Sequence, residues 1–288
     1  MAAQLLDGQK VAEEIKAQLA ARVLELASKG WIPGLGTILV GDDAPSARYV
    51  AMKHKDCEEI GMASFHRHLP SDVNESELNS VIDEFNENGS IDAYLIQLPL
   101  PNHIDEVAAL MRVDPDKDVD GLHPVNLGKL VMGAEGPLPC TPNGILALLN
   151  HYGVRTERSR IVIVGRGLTI GRPLSLLLTL KRPGCNATVT VVHTGTEDIS
   201  VFTKEADIVI AAAGQAHLIK GSMIRPGAAV VGAGTTFVNG KLLSDLDDDV
   251  AEVAGWVTPR IGGVGPMTRA MLLVNAVLAA ERHHGKDR

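Results

Sequence analysis

Apolar and polar positions along this chain follow two alternating patterns. Segments with apolar residues three or four positions apart, which is typical of helices, alternate with short apolar segments that are typical of strands. In the first half the predicted elements are a helix at Gly8–Ser28, a strand at Leu35–Val40, a helix at Ser46–Ile60, a strand at Ser64–Leu69, a helix at Glu75–Asn88 and a strand at Ala93–Gln97. This succession predicts an α/β layer on a mainly parallel sheet.

The second half repeats the alternation and predicts another doubly wound sheet. Its predicted strands and helices are Ile161–Val164, Leu174–Leu180, Thr188–Val192, Asp207–Ala212, Ala229–Val231 and a closing helix from about Thr268 to Arg282. Between the halves lies a turn-rich region, from Asp114 to Pro142, where we expect the domain crossing. Thr141 is predicted to cap a helix that has Pro142 in its first turn.

A glycine-rich loop follows the apolar strand at Ile161–Val164. Gly165, Gly167 and Gly171 have the spacing G-x-G-x-x-x-G, one residue longer than the usual dinucleotide fingerprint. Glycines here let the backbone approach a pyrophosphate, and the following helix start offers free N–H groups. The loop predicts a dinucleotide site, although an ordinary tight turn is the alternative.

The charges after this loop favour NADP over NAD. An NAD site usually has an acidic residue about twenty positions further on, but none occurs between Gly165 and Glu197. That interval carries Arg166, Arg172 and His193, which suit a 2′-phosphate. The alternative is that the arginines only solvate a loop.

Length and charge limit the class of protein. The chain has 288 residues, enough for two domains, and a net charge of −8, which opposes nucleic-acid and acidic-membrane binding. Cys57, Cys140 and Cys185 have no disulfide or zinc spacing, so a reducing cytoplasm fits best. We expect no signal peptide and no membrane span. We also expect no resident metal, because no further ligand pattern accompanies His66 and His68.

Two short motifs in the first half carry candidate chemistry. Tyr49 and Lys53 are four residues apart on a predicted helix and share one face, although an exposed helix with an amphipathic lysine is the alternative. Short-chain dehydrogenases also have a Tyr-x-x-x-Lys pair, but there it follows the glycine loop. Here the pair precedes the loop, which argues against that family. Gln97 sits where a strand leaves its sheet, an edge that binds ligands in α/β folds; the alternative is a strand stopped by prolines.

Asp118 and Asp120 flank Val119 before Gly121, so one carboxylate is expected to point inward. A solvated acidic loop is the alternative for either residue alone.

Six ordered motifs together resemble one family, the bifunctional methylenetetrahydrofolate dehydrogenase/cyclohydrolase (FolD) proteins. The likeness covers nearly the whole chain and rests on the motifs at residues 41–53, 97–101, 117–121, 139–142, 165–173 and 262–268. The resemblance implies two α/β domains with a cleft between them. It assigns residues 1–121 plus about 266–288 to a folate-binding catalytic domain and about 122–265 to a Rossmann-like NADP-binding domain.

The resemblance also implies residue roles and a homodimer. Lys53 would be the main catalytic group, Tyr49 would stack on the folate, Gln97 would tune Lys53 and Asp120 would hold the pterin. The remaining implied contacts are Leu98, Pro99, Gly262, Gly263, Gly265 and Pro266 for the folate, and Gly165, Arg166, Gly167, Thr194 and Thr235 for NADP. The chain departs from the family at Gly167, where most relatives have Ser, and at residues 232–236, where Gly-Ala-Gly-Thr-Thr replaces Asp-Val-Gly-Ile-Asn.

The implied activity is NADP-dependent oxidation of 5,10-methylenetetrahydrofolate, followed by hydrolysis of the methenyl product to 10-formyltetrahydrofolate. Lys53 would either be a neutral base, with a pKa lowered by burial, or stay charged and orient water through Gln97. Two other functions stay open: an NADP oxidoreductase for another small substrate, and a folate- or nucleotide-binding sensor without catalysis.

Overall fold

The computed structural model describes residues 3–238 and 241–285. Its helices are α1 (Gly8–Ser28), α2 (Ala44–Ile60), α3 (Glu75–Glu87), α4 (Glu106–Arg112), α5 (Pro124–Met132), α6 (Cys140–His151), α7 (Gly171–Thr179), α8 (Ser200–Thr203), α9 (Val250–Val253) and α10 (Val264–Gly285). Its strands are β1 (Gln4–Leu5), β2 (Gly34–Val40), β3 (Ala63–Leu69), β4 (Ala93–Ile96), β5 (Arg160–Val164), β6 (Thr188–Val192), β7 (Ile208–Ala211), β8 (Ala229–Gly232), β9 (Thr235–Val238), β10 (Lys241–Ser244) and β11 (Trp256–Val257). None of these helices combines the length and apolar character needed to cross a membrane.

The described residues form two compact units, each with its own sheet. One, the three-stranded unit, contains Glu14–Lys129, Glu135–Cys140 and residues 269–285. The other, the six-stranded unit, contains residues 3–13, Leu130–Ala134 and Thr141–Thr268.

The three-stranded unit is built on the parallel sheet β3-β2-β4. The central strand β2 is buried at every position, which explains its largely apolar sequence. The segment after α4 extends the sheet, because Asp118 pairs in parallel with Tyr94. The core on one face of this sheet includes Ile38, Ile82 and Phe85.

The six-stranded unit has the all-parallel order β1-β11-β8-β7-β5-β6. The chain leaves β5 to form β6 on one side and then returns to form β7 on the other. This reversal makes the carboxyl end of β5 a topological switch point, the usual ligand site of such sheets. The antiparallel pair β9–β10 is separate from the sheet. Two parallel α/β sheets, as predicted, are therefore confirmed.

Several predicted boundaries were wrong. Helices α4 and α5 lie in segments where no helix was predicted, since both are short and Gly128 interrupts the helical pattern of α5. Helix α6 begins at Cys140, so Thr141 lies in its first turn and does not cap it; its hydroxyl instead hydrogen-bonds Thr268 at 3.0 Å. Helix α10 begins at Val264, four residues earlier than predicted, because proline is tolerated in a first turn.

The N-terminal strand β1 pairs with β11 and thus belongs to the six-stranded sheet. A strand of two residues is too short to show a periodic pattern, so sequence analysis missed it. The functional division of the chain stays a prediction. It assigns folate binding to residues 1–121 plus about 266–288 and NADP binding to residues from about 122 to 265.

Candidate active site

Helix α2 carries the lysine that sequence analysis selected. The helix begins after Asp43, whose carboxylate accepts a hydrogen bond from the Ser46 N–H at 2.9 Å, and it ends at Gly61 in a left-handed conformation. Lys53 is only 5% exposed, and its Nζ lies 5.5 Å from the centroid of the half-buried Tyr49 ring. Because the amine is buried, the alternative of an exposed amphipathic lysine was wrong.

Gln97 directly follows β4 and bonds to the lysine. Its Nε2 donates to the carbonyl of Leu98 at 2.8 Å, which orients the amide so that Oε1 faces Lys53. Lys53 Nζ donates to this Oε1 at 3.1 Å. The next peptide bond, Leu98–Pro99, is cis; Leu98 is half-buried and Pro99 is exposed. The predicted strand end therefore places a polar side chain on the lysine amine.

The two aspartates in the segment after α4 have different surroundings. Asp118 is buried, and its carboxylate accepts hydrogen bonds from the backbone N–H groups of Gly121 (3.0 Å) and His123 (2.8 Å). It therefore stabilises the turn. Asp120 is half-buried, and its charge interacts with Lys53. Of the two predicted carboxylates, Asp120 is the one near the amine.

Burial and charge perturb both groups. Burial lowers the pKa of Lys53 below its usual range, the charge of Asp120 opposes this shift, and Arg269 adds to it. Burial raises the pKa of Asp120, and the charge of Lys53 opposes that shift. Tyr49 also has a raised pKa, mainly because of burial. The site therefore favours a neutral amine more than an exposed lysine would.

Three residues near this site had no role assigned from the sequence. Asn275 of α10 is buried, and its Nδ2 donates to the carbonyls of Val119 (2.8 Å) and Leu138 (2.9 Å). Cys140 donates from Sγ to the same Val119 carbonyl at 3.2 Å. Both hold the backbone next to Asp120. Arg269 of α10 is the third residue. The sequence offered one signal for this group, the polar Asn275 within the apolar stretch of α10.

The glycine loop of the six-stranded unit lies at the switch point after β5. Gly165 has φ +122°, and a Cβ there would overlap the carbonyl of Ala212. A Cβ on Gly171 would overlap the Gly165 carbonyl, whereas Gly167 faces open space. Two of the three predicted glycines are therefore required by backbone packing.

A cavity of about 530 Å³ opens at this loop. Its lining includes Gly165, Arg166, Gly167, His193 and Thr194, five residues singled out in the sequence. A guanidinium nitrogen of Arg166 lies 3.5 Å from Nε2 of His193. The cavity, its glycines and these nitrogen donors fit a phosphate-bearing dinucleotide.

The loop after β7, which also lines the cavity, is held by a buried carboxylate. Asp245 accepts hydrogen bonds from the N–H groups of Ala213 (2.7 Å), Gly214 (3.0 Å) and Gln215 (2.8 Å). Sequence analysis did not find Asp245. Thr235, predicted to contact the dinucleotide, begins strand β9 and is not among the described residues that line the cavity; that contact stays a prediction.

The predicted glycine turn near the C-terminus belongs to the six-stranded unit. Gly262 has φ +85°, and its carbonyl accepts a hydrogen bond from the Gln9 N–H at 2.8 Å. Gly263 packs so closely on Gly8 that a Cβ on Gly8 would overlap its carbonyl. Gly265 and Pro266 lie in the first turn of α10 rather than before it. Their contacts with folate stay a prediction.

Within residues 3–238 and 241–285, no three His, Cys, Asp or Glu side chains are grouped so that they can hold a metal ion.

Comparisons with known proteins agree with this geometry. The profile described as tetrahydrofolate dehydrogenase/cyclohydrolase, catalytic domain, matches residues 6–120, and the NAD(P)-binding domain of the same description matches residues 139–284. The bifunctional protein FolD of Syntrophotalea carbinolica is 54% identical over 281 residues, which cover 98% of this chain and 97% of that protein.

Solved structures are similar over the whole chain. The bifunctional FolD enzyme of Campylobacter jejuni has a TM-score of 0.94 and 41% identity, over 98% of this chain and 100% of that one. The methylenetetrahydrofolate dehydrogenase-cyclohydrolase of Trypanosoma brucei, complexed with NADP cofactor and inhibitor, has a TM-score of 0.93 and 39% identity, over 99% of both chains.

Proposed function

Because this chain belongs to the tetrahydrofolate dehydrogenase/cyclohydrolase family, we propose that it oxidises 5,10-methylenetetrahydrofolate with NADP and hydrolyses the methenyl product to 10-formyltetrahydrofolate. The observation that carries this proposal is the buried Lys53 amine, which donates to Gln97 and is electrostatically coupled to Asp120. An exposed lysine would be almost entirely protonated at neutral pH, whereas this amine is shifted towards its basic form.

The oxidation needs positioning more than acid–base catalysis. The one-carbon bridge lies between two nitrogens, whose lone pairs stabilise the cation left when a C–H bond breaks and hydride departs. NADP supplies the hydride acceptor. The aromatic ring of Tyr49 is suited to stack on the folate, and Asp120 is suited to accept hydrogen bonds from the pterin. We retain Leu98, Pro99, Gly262, Gly263, Gly265 and Pro266 as further proposed folate contacts.

The hydrolysis needs a base and then an acid. The neutral Lys53 amine takes a proton from water as the water oxygen bonds to the bridging carbon. The bond from this carbon to N5 then breaks, N5 takes the proton from the lysine, and the remaining hydroxyl proton leaves to solvent, so the formyl group stays on N10. The lowered pKa of Lys53 supports this route over a charged lysine that only orients water.

The preference for NADP is proposed to depend on Arg166. Its guanidinium lines the cavity together with His193, and no acidic residue precedes Glu197 after the glycine loop. Arg172, the other candidate, is exposed on α7 and is not among the described residues lining the cavity. Gly165, Gly167, Thr194 and Thr235 remain the other proposed cofactor contacts.

One assay tests both activities. The protein is mixed with methylenetetrahydrofolate and NADP, and the absorbance of reduced nicotinamide and of the methenyl compound is followed. We expect nicotinamide reduction and a transient methenyl signal that disappears faster than without protein. Binding of both ligands without reduction would favour a sensor, and failure of tetrahydrofolates to bind in calorimetry would favour another oxidoreductase. Equal catalytic efficiency with NAD and NADP would contradict the cofactor preference.

We propose that the protein is a cytoplasmic homodimer that binds neither nucleic acid nor membranes. Three free, buried cysteines fit a reducing compartment, and the charge of −8 opposes binding to polyanions. Among the described strands, β3 pairs only with β2, so its outer edge offers unpaired backbone groups to a second copy. Sedimentation at the mass of one chain would contradict the dimer.

A further inference from the structure

A cluster of buried charges lies one helical turn beyond Lys53 on α2. Asp56 is 6% exposed, and its carboxylate contacts two cations. Its Oδ2 accepts a hydrogen bond from Nε of Arg269 at 2.6 Å, and its Oδ1 lies 3.3 Å from Nζ of Lys16. Lys16 also pairs with Glu59 at 2.6 Å. Asp56 therefore anchors Arg269 through a buried ion pair.

Helical spacing places this anchor on the face that carries the catalytic lysine. Tyr49, Lys53 and Asp56 are separated by four and three residues, so their side chains form one row along α2. Arg269, which is bonded to Asp56, therefore lies beside this row. Its side chain is 16% exposed, and its Nε donates to Asp56.

We propose that Arg269, anchored by Asp56, is a positioning residue for the hydrolytic step: its charge beside Lys53 adds to the effect of burial in disfavouring the protonated amine, so that the amine can accept a proton from water. This inference rests on the proposed function, since it concerns the base of the same reaction.

The other groups facing Lys53 show why such a charge is needed. Asp120 and Cys140 favour the protonated amine, and Gln97 contributes only a neutral oxygen. Tyr49 faces the amine with its ring. His54, the next residue on the helix, interacts with Lys53 as a nearby basic group. Arg269 is therefore a fixed cation that offsets part of the attraction of Asp120 for a proton on the amine.

The bond to Asp56 also explains why Arg269 does not neutralise Asp120 instead. A long guanidinium side chain without an anchor is free to pair with any nearby carboxylate. Arg269 forms a buried ion pair with Oδ2 of Asp56, and Lys16 contacts the other carboxylate oxygen, Oδ1. This pairing keeps the guanidinium at the level of Asp56 on α2. Asp120 then stays available for substrate.

The test is the pH profile of methenyltetrahydrofolate hydrolysis, corrected for the uncatalysed reaction. In Arg269→Met, the acidic limb of kcat should move upward by about half to one pH unit, the effect of one unit charge acting through partly screened protein. At pH values below the limb this is a loss of about 3- to 10-fold, and well above it the rates should converge. Arg269→Lys, which keeps the charge, should restore most of the wild-type profile.

A matched control comes from a second ion pair of α10. Arg22 of α1 bonds to Glu281 of α10 at 2.6 Å, twelve residues or about 18 Å further along α10 than Arg269. Arg22→Met also removes a paired cation and should leave the limb where it is. The double variant Asp56→Asn/Arg269→Met leaves no unpaired buried carboxylate, so it carries the test if Arg269→Met does not fold. The limb should move in the same direction but by less, because the negative charge of Asp56 is removed as well.

An unchanged acidic limb in either of these variants overturns the proposal. So does a raised KM with an unchanged limb, because that result would make Arg269 a substrate-binding residue. Absence of hydrolysis by the wild-type protein at every pH would instead refute the proposed function.

Discussion

Replacing Lys53 with methionine should abolish hydrolysis and make the folded protein more stable. Methionine has nearly the shape of lysine without the amine, so the change isolates the chemistry of Nζ. Lys53 is 5% exposed, and its Nζ donates to Oε1 of Gln97 at 3.1 Å. Removing it therefore removes both the proposed base and a buried polar group.

The sign of the stability change follows from the pKa. Burial lowers the pKa of Lys53 in the folded protein, so between that pKa and the usual value of 10.5 the unfolded chain binds more protons than the folded one. The stability of the wild-type protein should therefore rise with pH through this window. Below the folded pKa the full cost of the buried ammonium is present. Methionine removes this cost, so its advantage is largest at low pH and fades towards pH 10.5.

The size of the effect is the difference of two opposing contributions. Replacing a buried ion by an apolar group of similar volume is neutral to stabilising by about 1–4 kcal/mol. Losing the hydrogen bond to Gln97 costs about 1 kcal/mol, and the half-buried Gln97 can bond to water instead. We expect a net gain of about 1 kcal/mol near pH 7, or roughly 2–4 °C in Tm.

The assay combines unfolding and turnover. Urea unfolding is measured from pH 6 to pH 10 for the wild type, Lys53→Met and Lys55→Met; Lys55 is the matched control because it is exposed on the same helix. Hydrolysis and calorimetric binding of folate and NADP are measured on the same samples. Wild-type hydrolysis by Lys53→Met, or a loss of stability above 1 kcal/mol, would refute the reasoning.

Three further outcomes follow from the structure. Gly165→Ala should abolish NADP binding, because its Cβ would overlap a carbonyl at φ +122°, whereas Gly167→Ala, which faces open space, should bind NADP within about twofold of wild type in calorimetry. Asp245→Asn turns an amide N–H towards backbone N–H groups and should cost about 2–3 kcal/mol in urea unfolding while weakening NADP binding. Burial raises the pKa of Cys57 to about 12, so iodoacetamide at pH 8 should label it, by mass spectrometry, only after denaturation; stoichiometric labelling of the native protein would contradict this.

Periodicity in the sequence was sufficient for the main elements of the fold. The apolar run of β2 and the glycine loop after β5 are local patterns, and the structure has them as predicted. The short helices α4 and α5 and the two-residue strands β1 and β11 were missed, because each depends on packing against distant segments more than on its own pattern.

The residues of the candidate site were likewise predictable only where the pattern that marks them is local. Tyr49 and Lys53 were found because helical spacing is local, and Asp120 could not be separated from Asp118 because that choice depends on hydrogen bonds to Gly121 and His123. Arg269 was invisible, since it is paired with a carboxylate 213 residues away in the chain. Local rules therefore identify candidate groups, whereas their charge states depend on contacts that only the fold creates.

The partner of the lysine amine has to be neutral for this chemistry. A carboxylate 3.1 Å from Nζ, in place of the Gln97 amide, would form a direct ion pair and favour the ammonium form. The amide oxygen can accept a hydrogen bond from either a neutral amine or an ammonium, so it orients Nζ without adding a full negative charge. Orientation of the base thus comes from Gln97, while the balance between its charged and neutral forms is left to burial, Asp120 and Arg269. Because these two functions depend on different residues, a change at Arg269 can shift the pH at which the base works without moving the base itself.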